Sequence, residues 1–398
     1  MSLVVAPVNP TLLRWARSES GLDQDDVAKK LGIKSSSRLD AWESGEEKPT
    51  LRQAEKLAII YKRPIGLFFL PQPPASIPLA AEYRRLPGIR PGKESPGLRT
   101  ALRQLRRNRE VAIDLLEENR EPIPSFRLKA KLSEDKEQVG IRLRQVLDLS
   151  VSEQQSWSSE HEAWRNWRDR AERLGLLVFQ VAGVPLEELR GVAILSEPLP
   201  VIGVNSKDAP NSRPFTLFHE LVHLMLKKSG DETVAAEDKH SEAEWQVLER
   251  FADAVAAAAL LPKDVLLSEQ IVQRNRNNPQ WGFEDIQKLS RKYWVTPLAL
   301  MTRLLNLERT NWQFYKSWRH AWEEQWKNRP QKTSKGGPSR VETILSRVGP
   351  RFASLVLRSL DQNIITAPAA ADYLDLKPYH FSALREELTQ RPGAKPVS

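Results

Sequence analysis

The feature that most constrains this chain is the run HELVH at residues 219–223, which has the pattern H-E-x-x-H. In an α-helix, residues four apart lie on one face, one turn from each other, so His219 and His223 can bind the same Zn²⁺. Glu220 then lies beside the metal as a general base, the arrangement typical of zinc metallopeptidases. The chain has only six histidines, so the pattern would arise by chance in roughly one such sequence in a hundred.

The surrounding residues predict the helix that this spacing requires. Residues 215–228 place an apolar stripe on the face opposite the two histidines, formed by Leu217, Leu221, Leu224 and Met225. Pro214 favours a first turn and Gly230 favours a stop just beyond the last turn. An ordinary amphipathic helix with two surface histidines would show the same pattern, so a third metal ligand decides between the two interpretations.

A second predicted helix, residues 242–261, supplies candidates for that ligand. It is rich in alanine and other apolar residues and ends before Pro262. Glu249 has an apolar flank and is followed one turn later by Asp253, which can accept the second N–H of a ligating histidine. We therefore expect Glu249 to be the third ligand. The alternatives that remain open are His240, Glu242 and Glu244.

These residues resemble the ImmA/IrrE family of zinc metallopeptidases. The resemblance lies in VNSKDAPNSRPFTLFHELVHLML and then LERFADAVAAAALLP, and it extends over about residues 131–308. It implies that one zinc ion per chain is bound by His219, His223 and Glu249, with Glu220 as the catalytic glutamate. Asp253 stands where the family often has Asn, which keeps a hydrogen-bond acceptor next to a histidine.

Arg213, directly before the predicted zinc helix, also resembles a recurring position of the family. Its role is open between holding a neighbouring carboxylate and stabilising the oxyanion of the reaction, for which His240 is the other candidate. Three short β-type runs precede this helix, at residues 176–181, 192–195 and 201–204. They predict a small sheet whose edge can pair with an extended substrate.

Residues 10–70 predict five short helical segments. The expected bounds are residues 10–20, 24–31, 36–43, 50–61 and 65–69, with Gly32 at the turn between the second and third segments. This stretch resembles the Cro/repressor-like (XRE) helix-turn-helix domain. The resemblance implies that the third helix enters the major groove of double-stranded DNA with its N-terminal residues, and that Gln24 touches phosphate. The expected base-facing residues are Ser35, Ser36, Ser37 and Arg38.

The charge of this domain is nearly balanced. From Arg14 to Arg63 there are eleven basic and nine acidic residues. Because phosphate neutralisation supplies much of DNA affinity, we expect weak binding by one copy and a homodimer on paired half-sites. The alternative is a domain that docks protein instead of DNA.

Composition narrows the class of protein further. The chain has 398 residues, enough for two or three domains, and no cysteine, which excludes thiolate metal ligands. It has no basic signal-type start and no long apolar run, so we expect a cytoplasmic protein that does not contact a membrane. The net charge is +9, and the segment 84–109 holds nine basic residues against Glu94 alone. Such a run is typical of a solvated helix face, with a phosphate-binding surface as the alternative.

The predicted fold class is α+β: mainly helical, with a small β-sheet. We expect a helix-turn-helix domain at 1–70, a proline-rich connector at 71–96, a peptidase domain with its helical lead-in at 97–328, a linker at 329–340 and a small helical domain at 341–398. Tryptophans at 318, 322 and 326 share a face of a predicted helix over residues 312–326. Core packing is the expected role of that aromatic face, and stacking of single-stranded nucleic acid is the alternative.

Together these features predict a zinc-dependent endopeptidase joined to a DNA-binding module. The family resemblance implies a protein substrate of the repressor or antitoxin type, cleaved in another chain or in this one. The alternative is an XRE-type transcriptional regulator or antitoxin, in which the zinc fold is a sensor or a structural core. Glu220 argues against that alternative, because a purely structural zinc helix has no use for a carboxylate between its ligands.

Overall fold

The structure is a computed structural model that describes residues 4–74, 94–228, 242–327 and 337–390. These residues are mainly helical and include a three-stranded sheet, which confirms the predicted α+β class. The chain divides into two compact units, Met1–Gln104 with Gly183–Glu188, and Leu105–Ala182 with Leu189–Ser398.

The first unit contains the predicted helix-turn-helix segments, each within one residue of its expected bounds. They are α1 (Pro10–Ser20), α2 (Gln24–Leu31), α3 (Ser37–Ser44), α4 (Leu51–Tyr61) and a 3-10 turn (Ile65–Phe69). Side chains of Asn9, Asp23 and Thr50 cap the N-termini of α1, α2 and α4, which satisfies backbone N–H groups that lack a partner in the helix.

The turn between α2 and α3 depends on a glycine. Gly32 has a φ of 76°, a left-handed conformation in which its N–H closes the end of α2. The turn brings the two helices over one core, in which Leu39 and Leu57 are fully buried and Trp42 is 1% exposed. The arrangement is the one expected of a helix-turn-helix domain.

The second unit begins within α5 (Pro96–Glu118) and contains the remaining elements. The helices before the sheet are α6 (Lys136–Val146), α7 (Val151–Ser156) and α8 (Glu160–Arg173). The strands are β1 (Leu177–Val181), β2 (Gly191–Ile194) and β3 (Val201–Asn205). The central helices are α9 (Arg213–Lys228), α10 (Glu242–Leu260), α11 (Lys263–Ser268), α12 (Gln270–Arg274), α13 (Phe283–Lys292), α14 (Pro297–Asn306) and α15 (Trp312–Lys327). The last helices are α16 (Arg340–Val348), α17 (Pro350–Asp361), α18 (Ala367–Leu374) and α19 (Phe381–Thr389), with a 3-10 turn at Pro378–His380.

The sheet has the order β1-β3-β2, with β3 parallel to β1 and antiparallel to β2. Every residue of the three strands is buried, and α9 packs against β2 and β3. The apolar stripe predicted for α9 is at the core, since Leu217, Leu221 and Met225 are fully buried and Leu224 is 1% exposed. Packing on one face therefore holds the other face of α9, with its histidines, in a fixed position.

Helix α10 is held by close contact with α6. A Cβ at Gly140 would lie 2.6 Å from the Cβ of Ala258, so the two backbones approach closely only because both residues are small. The alanine-rich run of α10 is thus explained by packing. It fixes the helix that carries Glu249 and Asp253 relative to the core.

The C-terminal helices α16 and α17 pack against β1 within the second unit. The ring of Phe352 meets Phe179 edge to face at 5.5 Å, and Gln180 Nε2 donates to Ser346 Oγ at 2.9 Å. The sequence predicts residues 341–398 as a domain of their own, whereas these contacts join the described helices of that segment to the sheet. The difference arises from contacts between residues more than 150 positions apart, which no local pattern encodes.

Several arginines of α5 form hydrogen bonds to backbone carbonyl oxygens of the protein. Arg99 and Arg103 donate to the carbonyl oxygens of Ser18 and Glu19 in the first unit. Arg109 donates to three carbonyl oxygens in the second unit. Carbonyls at chain turns and helix ends are favourable acceptors for guanidinium groups. The basic residues from 84 to 93 lie outside the described residues.

Helix α15 uses its aromatic residues mainly for packing. Trp318 is 3% exposed and stacks with Phe283 at 5.6 Å and with Trp322 at 5.7 Å. Trp312 is 58% exposed, and the side chain of Trp326 is not among those that the structure describes. Core packing of Trp318 agrees with the expected role, and binding of single-stranded nucleic acid stays a prediction.

Several predicted features fall wholly or partly outside the described residues. They are most of the connector 71–96, the loop with His240, most of the linker 329–340 and residues 391–398. Among the residues that are described, no helix has the length and apolar composition needed to cross a lipid bilayer.

Candidate functional site

Two turns of α9 bring the histidines of the H-E-x-x-H motif together. The Nε2 atoms of His219 and His223 lie 3.1 Å apart, and their rings meet edge to face at 4.9 Å. His219 is 8% exposed and His223 is half-buried. Two imidazole nitrogens at this separation present their lone pairs to one point, as a shared metal ion requires.

Glu249 on α10 completes a group of three. Its carboxylate oxygens lie 3.6 Å from His219 Nε2 and 3.5 Å from His223 Nε2. A tetrahedral zinc ion with ligands at about 2.0–2.1 Å has ligand-to-ligand distances of about 3.3 Å, so the observed spacing fits such an ion. Within the described parts of the chain, this is the group of His, Asp or Glu side chains that could hold a metal.

The other candidates for a third ligand are not in this group. Glu244 is exposed on the first turn of α10 and is not among the three converging side chains. His240 and the side chain of Glu242 lie outside the described residues. The structure therefore brings together the ligand set that the sequence favoured.

Asp253 is hydrogen-bonded to the ring of His219. Its Oδ1 lies 2.7 Å from His219 Nδ1, and an ionised carboxylate only accepts hydrogen bonds, so Nδ1 carries the proton. The other ring nitrogen, Nε2, is the one that faces Glu249 and His223. A carboxylate behind a ligating histidine orients the ring and increases its basicity.

Glu220 lies against strand β2. It is 3% exposed, and a Cβ placed on Gly191 would come within 2.8 Å of Glu220 Oε1 and 2.5 Å of Thr216 Cγ2. The glycine thus makes room for the buried carboxylate next to the histidines. Gly191 was not among the predicted site residues; it directly precedes the predicted strand run 192–195, and a glycine at a strand is a known signal of close approach.

Trp245 is a second neighbour of the metal-ligand group that was not predicted from the sequence. Its ring lies 6.4 Å from that of His223, with an interplanar angle of 12°. It stands one turn before Glu249 and two turns before Asp253, so the three side chains share a face of α10. The four-residue spacing was the available signal.

Arg213 has a structural role at the start of α9. Its Nε donates to the carbonyl oxygen of Asp208 at 2.9 Å, and its Nη2 donates to that of Ser206 at 2.8 Å. Burial lowers the pKa of Arg213, and the nearby Asp208 carboxylate opposes that shift. These contacts to two backbone carbonyl oxygens hold the loop before α9, while the Asp208 carboxylate acts on Arg213 through its charge.

The predicted DNA-contacting residues lie at the surface around α3. Ser35 and Ser36 precede the helix, whereas Ser37 and Arg38 form its first turn. Gln24 Nε2 donates to Asp40 Oδ1 at 2.8 Å. The residue expected to touch phosphate is thus paired with an acidic residue of α3.

Comparison with known families finds matches to two separate stretches of the chain. Residues 171–305 match the model of a peptidase family, described as the IrrE N-terminal-like domain. The chain carries an IrrE-type peptidase domain. Residues 13–68 match a family model described as helix-turn-helix. Both matches confirm the resemblance seen in the sequence, whereas the comparison with curated proteins gave no match.

The IrrE-type peptidase domain extends from the end of α8 to α14 and contains every residue of the metal-ligand group. Its family and the converging side chains together support a metallopeptidase. The matched region excludes α6 and the C-terminal helices α16 and α17, which pack on α10 and β1 from outside it.

Proposed function

We propose that this protein is a zinc-dependent endopeptidase coupled to a DNA-binding module. The observation that supports it most is the convergence of His219, His223 and Glu249 on one point, with Glu220 buried beside them. Two imidazoles and one carboxylate are the ligands of a catalytic zinc site, which keeps a fourth position for water or substrate.

Each side chain of the site would have a separate role in peptide hydrolysis. Zn²⁺, when bound, would lower the pKa of a water molecule and would polarise a peptide carbonyl. Glu220 accepts a proton from the attacking water at its carboxylate and passes it to the amine that leaves. Asp253 keeps the proton of His219 on Nδ1, so that Nε2 stays available as a ligand.

The substrate we propose is a repressor or antitoxin-type regulator, in another chain or within this one. The support is the presence of a peptidase domain and a helix-turn-helix domain in one polypeptide. A DNA-binding module raises the local concentration of the peptidase where other DNA-bound regulators lie. Cleavage would then change transcription.

The test of peptidase function compares the wild-type chain with Glu220→Gln. The amide keeps the shape of the side chain but does not accept the proton, so we expect retained zinc and a loss of at least about 100-fold in cleavage. The probe is a peptide mixture from a digested bacterial proteome, with new termini measured by mass spectrometry. Exposed Glu117→Gln is the control. Equal cleavage by Glu220→Gln and wild type would contradict the mechanism.

A regulator without proteolysis is the second candidate, and the surface around α3 bears on it. Asp40 holds the amide of Gln24 and adds negative charge to the DNA-facing helix. We infer specific binding only by a dimer on paired half-sites, because one nearly neutral domain has few phosphate contacts.

Salt-titrated binding to the chain's own promoter region tests the DNA-binding proposal. We expect Arg38→Ala to weaken the promoter complex, whereas Lys288→Ala, an equal change of charge in the peptidase domain, leaves it unchanged. Equal affinity for promoter and unrelated duplexes would show that the domain docks protein instead.

A further inference from the structure

One face of α10 carries three side chains at four-residue spacing, and each is directed at the metal-ligand group. Asp253 contacts the Nδ1 atom of His219 at 2.7 Å, and Glu249 lies 3.5–3.6 Å from both Nε2 atoms. Trp245, the first of the three, lies parallel to the ring of His223. This face of α10 therefore contacts both histidines: His219 through a carboxylate and His223 through an aromatic ring.

A ligating histidine needs a fixed ring plane as well as a free nitrogen. The torsion about the Cβ–Cγ bond of histidine is broad, so the helix backbone alone does not define that plane. A carboxylate fixes it for His219. For His223, the indole of Trp245 lies at 6.4 Å with an angle of 12° between the planes, within the range of favourable offset stacking.

The environment of Trp245 supports this role. The indole is half-buried and packs against the main core of the second unit, so it is not a freely rotating surface group. Helix α10 is itself held by the close contact of Gly140 with Ala258. A rigid helix thus presents a rigid ring to His223.

We propose that Trp245 is a positioning residue that holds the His223 imidazole in its metal-binding orientation. The proposal rests on the metal site of the proposed function and adds a residue that is not a ligand. An aromatic pair of this kind changes an equilibrium by roughly 2- to 10-fold, so loss of the ring should weaken zinc binding by about that factor.

The experiment distinguishes the effect of the aromatic ring of Trp245 from the effect of its side-chain volume. Full-length wild type, Trp245→Phe and Trp245→Leu are compared, with exposed Trp312→Leu as the control. Zinc affinity is measured by competition with a chromophoric chelator. The visible spectrum of the Co²⁺-substituted chain reports the ligand geometry, and thermal unfolding of the metal-free chain reports the fold.

We expect Trp245→Phe to keep wild-type affinity within about 2-fold and the wild-type cobalt spectrum, because a ring remains. Trp245→Leu should lose roughly 2- to 10-fold in affinity and show an altered spectrum, while Trp312→Leu changes neither. Wild-type affinity and spectrum in Trp245→Leu would overturn the proposal, as would equal losses in the Phe and Leu variants.

The outcomes also separate this inference from the proposed function. A wild-type chain that binds no zinc would contradict both. Zinc binding that is lost in His223→Ala but unaffected in Trp245→Leu would contradict the role of Trp245 alone.

Discussion

At the scale of single residues, Asp253 is the clearest case of a side chain that acts through another. We expect Asp253→Ala to weaken zinc binding by roughly 10- to 100-fold, because His219 loses the acceptor that fixes its proton on Nδ1. Asp253→Asn should be milder, since an amide oxygen still accepts that hydrogen bond. Chelator competition on purified protein measures the change. Unchanged zinc affinity in Asp253→Ala would contradict a role of Asp253 in the metal site.

Glu172 is a buried carboxyl far from the motif in sequence. Burial raises its pKa to about 7, although Arg168 lies 3.8 Å away and opposes the shift. Val178 N donates to its Oε1 at 3.1 Å. In the unfolded chain the same carboxyl titrates near 4.5, so between the two values the folded state binds the proton more tightly.

The sign of the pH dependence follows from this difference. The proton stabilises the folded state at low pH, and its contribution is lost as the pH rises through the folded pKa. We expect the free energy of unfolding of the wild type, relative to Glu172→Gln, to fall by about 2–3 kcal/mol between about pH 5 and about pH 8. Urea unfolding across that range measures it. Parallel curves for the two proteins would contradict the raised pKa.

At the scale of elements, the packing of β2 against α9 depends on the missing side chain of Gly191. In Gly191→Ala the new methyl group would lie 2.5 Å from Thr216 Cγ2 and 2.8 Å from Glu220 Oε1. We expect a loss of about 1–3 kcal/mol in stability, as for other overpacked sites, and slower peptide cleavage with zinc retained. Gly282→Ala is the control, because nothing lies within 4 Å of the added Cβ.

A double variant separates the two contacts of that methyl group. Gly191→Ala with Thr216→Ser removes the closer contact but keeps a hydroxyl for the 3.2 Å hydrogen bond to Asp208. If cleavage stays slow while stability recovers, displacement of Glu220 is the cause. Full recovery of cleavage would assign the effect to Thr216 crowding alone.

Elements that follow from local pattern were predictable from the sequence. The helix-turn-helix segments and the three strands lie close to their expected bounds, and the spacing of His219, His223, Glu249 and Asp253 placed them on facing surfaces of two helices. Gly191 and Trp245 have local signals, a glycine beside a strand and a four-residue spacing, but these signals do not identify the element that each residue contacts. Periodicity reports which face of a helix is apolar, but it does not report what packs there.

At the scale of the whole molecule, the extent of the second unit was the least predictable feature. Arg168 donates to the carbonyl oxygen of Ser346 at 2.7 Å, and Phe352 packs edge to face on Phe179. These contacts join the C-terminal helices to β1, whereas composition indicated a linker and a separate domain. A proline- and glycine-rich stretch marks a break in helices but does not decide whether the flanking parts share a core.

Our central proposal also concerns the whole molecule: one chain contains a peptidase domain with one zinc ion and a helix-turn-helix domain. Its two family matches cover different residues, 171–305 and 13–68, so each module is supported independently. The proposed peptidase activity depends on the metal, because the catalytic role proposed for Glu220 requires a metal ion beside it.

Zinc content of the purified full-length chain is the most direct test, measured by plasma mass spectrometry on wild type, His223→Ala and His161→Ala. His161 is an exposed histidine on α8 and serves as the matched control. We predict one zinc ion per chain in the wild type and in His161→Ala, and strong loss in His223→Ala. Full zinc in His223→Ala would contradict the assigned site.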